Sequence, residues 1–103
     1  MTMPGIQEPY GYPYETVAVS QTAQALGTTG ATGDYLHRLI VSVATAATGT
    51  VTLLDNATSI VITAANTPIG VYTVDIGALS ASGAWKITTG AGATVIAVGK
   101  FSA

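Results

Sequence analysis

The chain has 103 residues, of which 49% are hydrophobic and 8% charged, with a formal net charge of −2 and no cysteine. That length fits one domain; three strong cations, Arg38, Lys86 and Lys100, are too few for a phosphate-neutralising nucleic-acid surface, and without cysteine a disulfide framework or thiolate metal site is excluded. A self-sufficient soluble surface carries about 25–35% charge, so a mean hydropathy of +0.51 leads us to expect much of the outside to be covered by another chain.

In chain order, residues 1–14 read as an extended N-terminal arm or a disordered tail, and the arm is favoured because three tyrosines are costly to leave in water. Pro4, Pro9 and Pro13 withhold backbone donors and favour polyproline geometry. Tyr10, Tyr12 and Tyr14 alternate with Gly11 and Pro13, offering three large rings with polar tips for contact with a neighbouring subunit. The start lacks a basic region and an apolar core, so no signal peptide is expected. No run approaches the roughly 18 apolar residues of a membrane helix. Synthesis and folding in a cytoplasm, with no membrane partner, are the expectations.

Residues 15–103 read as one β domain. Val17 and Val19 alternate with Thr16, Ala18 and Ser20, which predicts a strand. Residues 21–26 are ambiguous between more strand and a helical turn, and residues 27–33 (GTTGATG) form a turn-rich loop. Residues 35–44 read as a central strand, with Tyr35, His37, Leu39, Val41 and Val43 on one face and Leu36, Arg38, Ile40, Ser42 and Ala44 on the other. Residues 50–54 and 58–63 form two strands about an Asp55-Asn56 turn. Residues 71–76 form another strand, and 77–83 a loop. Residues 83–101 predict a β-hairpin about Gly90-Ala91-Gly92, with Trp85, Ile87 and Thr89 on one face and a second strand that is apolar on both. The sum is about seven short strands without a helix, the pattern of an all-β sandwich or small barrel. Jelly-roll-like and immunoglobulin-like topologies both fit.

Chemistry-bearing residues are sparse. His37 is the only histidine, and three residues from Asp34 in a strand it would face the other way, so a metal pair is poor. Glu8, Glu15, Asp34, Asp55 and Asp75 are scattered and include no close pair for glycoside hydrolysis. Asp34, Asp55 and Asp75 sit at or beside loops, where solvated turn residues are the ordinary case. No GxSxG elbow occurs, and residues 27–33 lack the lysine of a phosphate-binding loop. The sequence therefore predicts no catalytic residue, metal or cofactor, and a non-enzymatic protein.

Residues Gly33-Asp34-Tyr35-Leu36, Gly83-Ala84-Trp85-Lys86, Thr88-Thr89-Gly90-Ala91 and Val95-Ile96-Ala97-Val98-Gly99 carry a resemblance. Over residues 33–102 the chain resembles a group of small tailed-bacteriophage virion proteins, and among these the capsid decoration, or cement, proteins most of all. The middle matches in rhythm only, and Ala46-Ala47-Thr48-Gly49 departs from the turn expected after the first core strand. The resemblance implies a structural role on the outer head surface, with the major capsid protein and further copies of the chain (a homotrimer) as partners. It also implies that Tyr35, Trp85 and Phe101 are core or interface anchors, and that Gly33, Gly83, Gly90 and Gly99 are turn or close-approach positions. With the tyrosines of the arm and His37, the candidate interface set is Tyr10, Tyr12, Tyr14, Tyr35, His37, Trp85 and Phe101. A tail or head-fibre module that recognises a host glycan or protein is the alternative, since β-sandwich loops serve such roles on many proteins.

Overall fold

A computed structural model describes residues 12–102. Eight strands follow in chain order: β1 (Tyr14–Val17), β2 (Gln24–Ala25), β3 (Tyr35–Val43), β4 (Val51–Asp55), β5 (Thr58–Thr63), β6 (Gly70–Leu79), β7 (Trp85–Thr88) and β8 (Ala93–Lys100). They form two four-stranded antiparallel sheets, ordered β1-β8-β3-β6 and β2-β7-β4-β5, with no helix among the described residues. Both sheets contribute to one core, as in a β-sandwich. Val17, Leu36, Leu39, Val41, Val43, Val95 and Ala97 from the first sheet meet Leu26, Val51, Leu53, Trp85 and Ile87 from the second. Each fully buried Val, Leu or Ile here contributes about 1.5–3 kcal/mol.

The β4–β5 hairpin forms as expected. Asp55 pairs with Thr58 across a two-residue loop, and Asn56 takes a φ of +56°, a conformation its short polar side chain tolerates. The C-terminal hairpin does not form. β7 pairs with β2 and β4, whereas β8 pairs with β1 and β3, in the other sheet. Residues 89–92 carry the chain across the core rather than back along the same sheet. The two strands face each other through Trp85 and Ile87 on one side and Ala93, Val95 and Ala97 on the other. This crossing needs a close approach between loops. Gly49 and Gly90 pass so near that a Cβ on Gly90 would lie 2.4 Å from the Gly49 Cα.

Three further expectations change. β3 does not alternate regularly, because its register shifts between Leu36 and Arg38. His37 is the extra residue of a bulge, so Leu36 and Leu39 both point into the core while Tyr35 and His37 stay half-buried outside it. Tyr35 and His37 therefore do not share the face of Leu39, Val41 and Val43. Residues 77–79, expected in a loop, complete β6. At the N-terminus, Tyr14 belongs to β1, opposite Val98, instead of to the arm. Tyr10 and the rest of residues 1–11 lie outside the described residues.

Candidate functional site

The outward face of the first sheet follows from its register. One row runs Tyr14, Val98, Arg38, Asp75; the next runs Thr16, Ile96, Ile40, Thr73; a third holds Thr94, Ser42 and Val71. Apart from Arg38 and Asp75, these are hydroxyl, aliphatic and phenol side chains. The alternation of β8, with Ala93, Val95 and Ala97 turned inward, sets Ile96 and Val98 on this face.

Aromatic rings gather at one end of it. The Tyr12 ring lies 5.2 Å from Tyr35 and 5.6 Å from His37, and Tyr35 and His37 meet nearly edge-on at 6.2 Å. The β3 bulge makes the cluster possible, since it holds His37 outside with Tyr35. Pro13 fixes the approach of the chain, its carbonyl accepting from the Gly99 amide at 3.0 Å. Arg38 Nη1 lies 3.2 Å from His37 Nδ1. Guanidinium has no acceptor, so Arg38 is the donor in this contact. Tyr12, Tyr14 and Arg38 wall an open depression of about 320 Å³ whose floor is Ile40, Ile96 and Val98.

A second depression, about 430 Å³, lies on the other side of Tyr35 and is lined also by Pro13, Gly33, Asp34, Lys100, Phe101 and Ser102. Its wall contains a structural knot. Asp34 is buried, not a solvated turn residue: its carboxylate accepts from the Ser102 amide at 2.9 Å, the Ser102 hydroxyl at 2.7 Å and the Ala31 amide at 3.0 Å. Burial alone would push the carboxyl up. The bonds from the Ser102 amide, the Ser102 hydroxyl and the Ala31 amide outweigh it and hold the group below its ordinary 3.8. The Asp34 carbonyl accepts from Trp85 Nε1 at 2.9 Å and from the Ser80 amide at 3.0 Å. One residue thus ties the C-terminus, the loop before β3, the end of β6 and the core tryptophan together.

Of the residues singled out from the sequence, Tyr12, Tyr35 and His37 come together, Tyr14 borders the same depression, and Phe101 lines its neighbour. Trp85 does not join them. It is 4% exposed and belongs to the core, the first of the two roles expected for it. Arg38, Ile40, Ile96 and Val98 complete the site but carry no individual sequence signal; only their common parity on β3 and β8 marks them. Among the described residues, no three His, Cys, Asp or Glu side chains gather to hold a metal ion. Ring faces, one guanidinium and an aliphatic floor make a surface suited to holding a partner's rings and apolar groups. No protein-family model, curated protein or solved structure matches the chain.

Proposed function

We propose that this chain is a structural virion protein of a tailed bacteriophage, a decoration or cement protein that binds the major capsid protein on the outer head surface and stabilises the shell. The observation that carries the reading is the apolar, nearly uncharged outside of the folded domain. Tyr14, Ile60, Val61, Ile69, Val71 and Leu79 are all exposed, and the outward rows of the first sheet hold only three charged side chains, Arg38, Lys100 and Asp75. Such a surface suits cover by other virion subunits better than free solution.

The strand order supports a jelly roll as the finer topology. Eight strands divide into β1-β8-β3-β6 and β2-β7-β4-β5, and every connection except β4–β5 crosses between the sheets. Immunoglobulin-like domains divide their strands differently, and jelly rolls recur in viral capsid proteins and lectins. Fold alone does not fix function, so the reading rests on the surface. A protein that binds only the assembled lattice stabilises it by mass action, without a cofactor or a catalytic step. Residues 1–11 reach a capsid subunit in this reading, leaving the chain beside the Tyr12–Tyr35–His37 cluster.

Co-sedimentation with expanded heads that lack the protein tests the proposal. Saturable pelleting is expected, and a chain without residues 1–11 should bind at least tenfold more weakly while keeping its fold. No pelleting overturns the decoration role; unchanged affinity of the shortened chain overturns the role of the arm.

The ring faces of Tyr12, Tyr35 and His37 beside two open depressions favour a second reading, a head-fibre or tail module that stacks on host sugars. Binding to a glycan array with no affinity for heads would select it.

A further inference from the structure

The four edge strands of the two sheets are unequal. β1 has four residues and β2 only two, lengths that offer little to a pairing strand. β5 has six residues and β6 ten, and together they carry one charge, Asp75. The short connection 64–69 joins them, which puts both long edges on one flank. Ile60 and Val61 of β5, Ile69 of the connection, and Val71 and Leu79 of β6 are 47–68% exposed there. Ile60 is the sharpest case. It stands opposite Leu53 in an inward row, yet is 47% exposed, so the core opens to the outside at this flank. β6 hydrogen-bonds only to β3, and its far side presents unpaired backbone groups. The usual defences of an edge (lysine, proline, shortness) are absent from it; the bulge against His37, where Gly77 has a φ of +61°, interrupts only its last third.

We propose that two copies of this chain pair antiparallel along β6, through a two-fold axis at Thr73, to make one continuous sheet across the dimer. The regular stretch before the bulge, residues 70–75, has Thr73 beside its midpoint. Pairing about that residue sets Thr73 against its counterpart, a favourable cross-strand contact, and Tyr72 against Val74 of the second copy. The only charges on the edge stay apart: the two Asp75 carboxylates are offset by four residues, about 13 Å along the strand, beyond the roughly 8 Å screening length of physiological salt. Each Asp75 also keeps Arg38 of its own chain as its register neighbour on β3. The same approach brings β5 against the second copy and covers Ile60 and Val61. An isologous contact of this kind closes on itself and does not propagate into fibres. It replaces the homotrimer implied by the resemblance, and it does not depend on the decoration role.

Light scattering after size exclusion tests it. The expected mass is twice 10.3 kDa; a monomer or a trimer at millimolar concentration overturns the two-fold pairing. Thr73→Lys and Thr73→Glu, on an exposed side chain, should each halve the mass while keeping the wild-type circular dichroism. Mixed in equal amounts, the two variants should recover the dimer, because opposite charges then meet on the axis. Dimers of Thr73→Lys alone, or a mixture that stays monomeric, overturn the register. Should a Thr73 variant fail to fold, Val71→Glu provides the same reading of mass, because this register sets residue 71, 68% exposed, against Asp75 of the second copy, where like charges repel. Head binding is measured separately. A chain that binds heads but does not dimerise refutes this inference alone, and one that dimerises but ignores heads refutes the decoration role alone.

Discussion

Replacing Asp34 with Asn should destabilise the domain by about 2–3 kcal/mol at neutral pH. The carboxylate accepts three hydrogen bonds, from the amide and hydroxyl of Ser102 and the amide of Ala31. Bonds to a charged acceptor contribute roughly 1.5–3 kcal/mol each. Two terms reduce the sum: the variant avoids the cost of burying a charge, and its amide oxygen retains one acceptor. The amide nitrogen, however, turns a donor toward donors. For a domain of this size 2 kcal/mol corresponds to a fall in Tm of about 8–16 °C. Acid sharpens the test. The folded-state pKa of Asp34 lies below 3.8, so its contribution is complete above the unfolded value and is lost as pH falls through the folded one. Urea unfolding of both proteins should show a gap that is constant from neutral pH to about pH 4 and narrows below it. A gap under about 0.5 kcal/mol at pH 7, or one that holds constant down to about pH 2, would refute the reasoning.

Other substitutions probe other parts of the fold. Trp85→Phe removes both core volume and the bond to the Asp34 carbonyl, and urea unfolding should register a loss of about 2–3 kcal/mol. Gly90→Ala forces a methyl against Gly49 and should cost about 3 kcal/mol or prevent folding, whereas Gly33→Ala, with open space around its Cβ, should cost only the strain of its φ of +93°, about 1 kcal/mol by thermal melting. Tyr12→Ala removes the ring packed on Tyr35 and His37, so Tm should fall by the few degrees that about 0.5–1.5 kcal/mol implies.

Strand parity made much of the fold legible, and pairing partners made the rest illegible. The β4–β5 hairpin could be read because Asp55-Asn56 is a turn between strands that return to each other. The β7–β8 link carries an equally good turn, Gly90-Ala91-Gly92, but a glycine turn serves a crossing between sheets as well as a return within one. Alternation records which residues are inward, and Trp85, Ile87, Val95 and Ala97 are inward either way. Strand β2 could not be read, since two residues have no period. A bulge breaks parity outright: one extra residue at His37 moved Leu36 into the core and left Tyr35 and His37 together at the surface, where Tyr12 meets them. Asp34 resembled a solvated turn residue because its three partners lie three and sixty-eight positions away. The apolar character of β5 was legible, but its place at an open edge depends on which strand fails to have a neighbour.

The thermal stability of expanded heads tests the decoration role most directly. Heads lacking the protein should release DNA at a higher temperature as it is added, with the shift saturating in step with binding, as for any ligand of the assembled state alone. Free capsid subunits should not bind it. An unchanged release temperature on heads to which the protein has bound, or equal affinity for unassembled subunits, would contradict a shell-stabilising function.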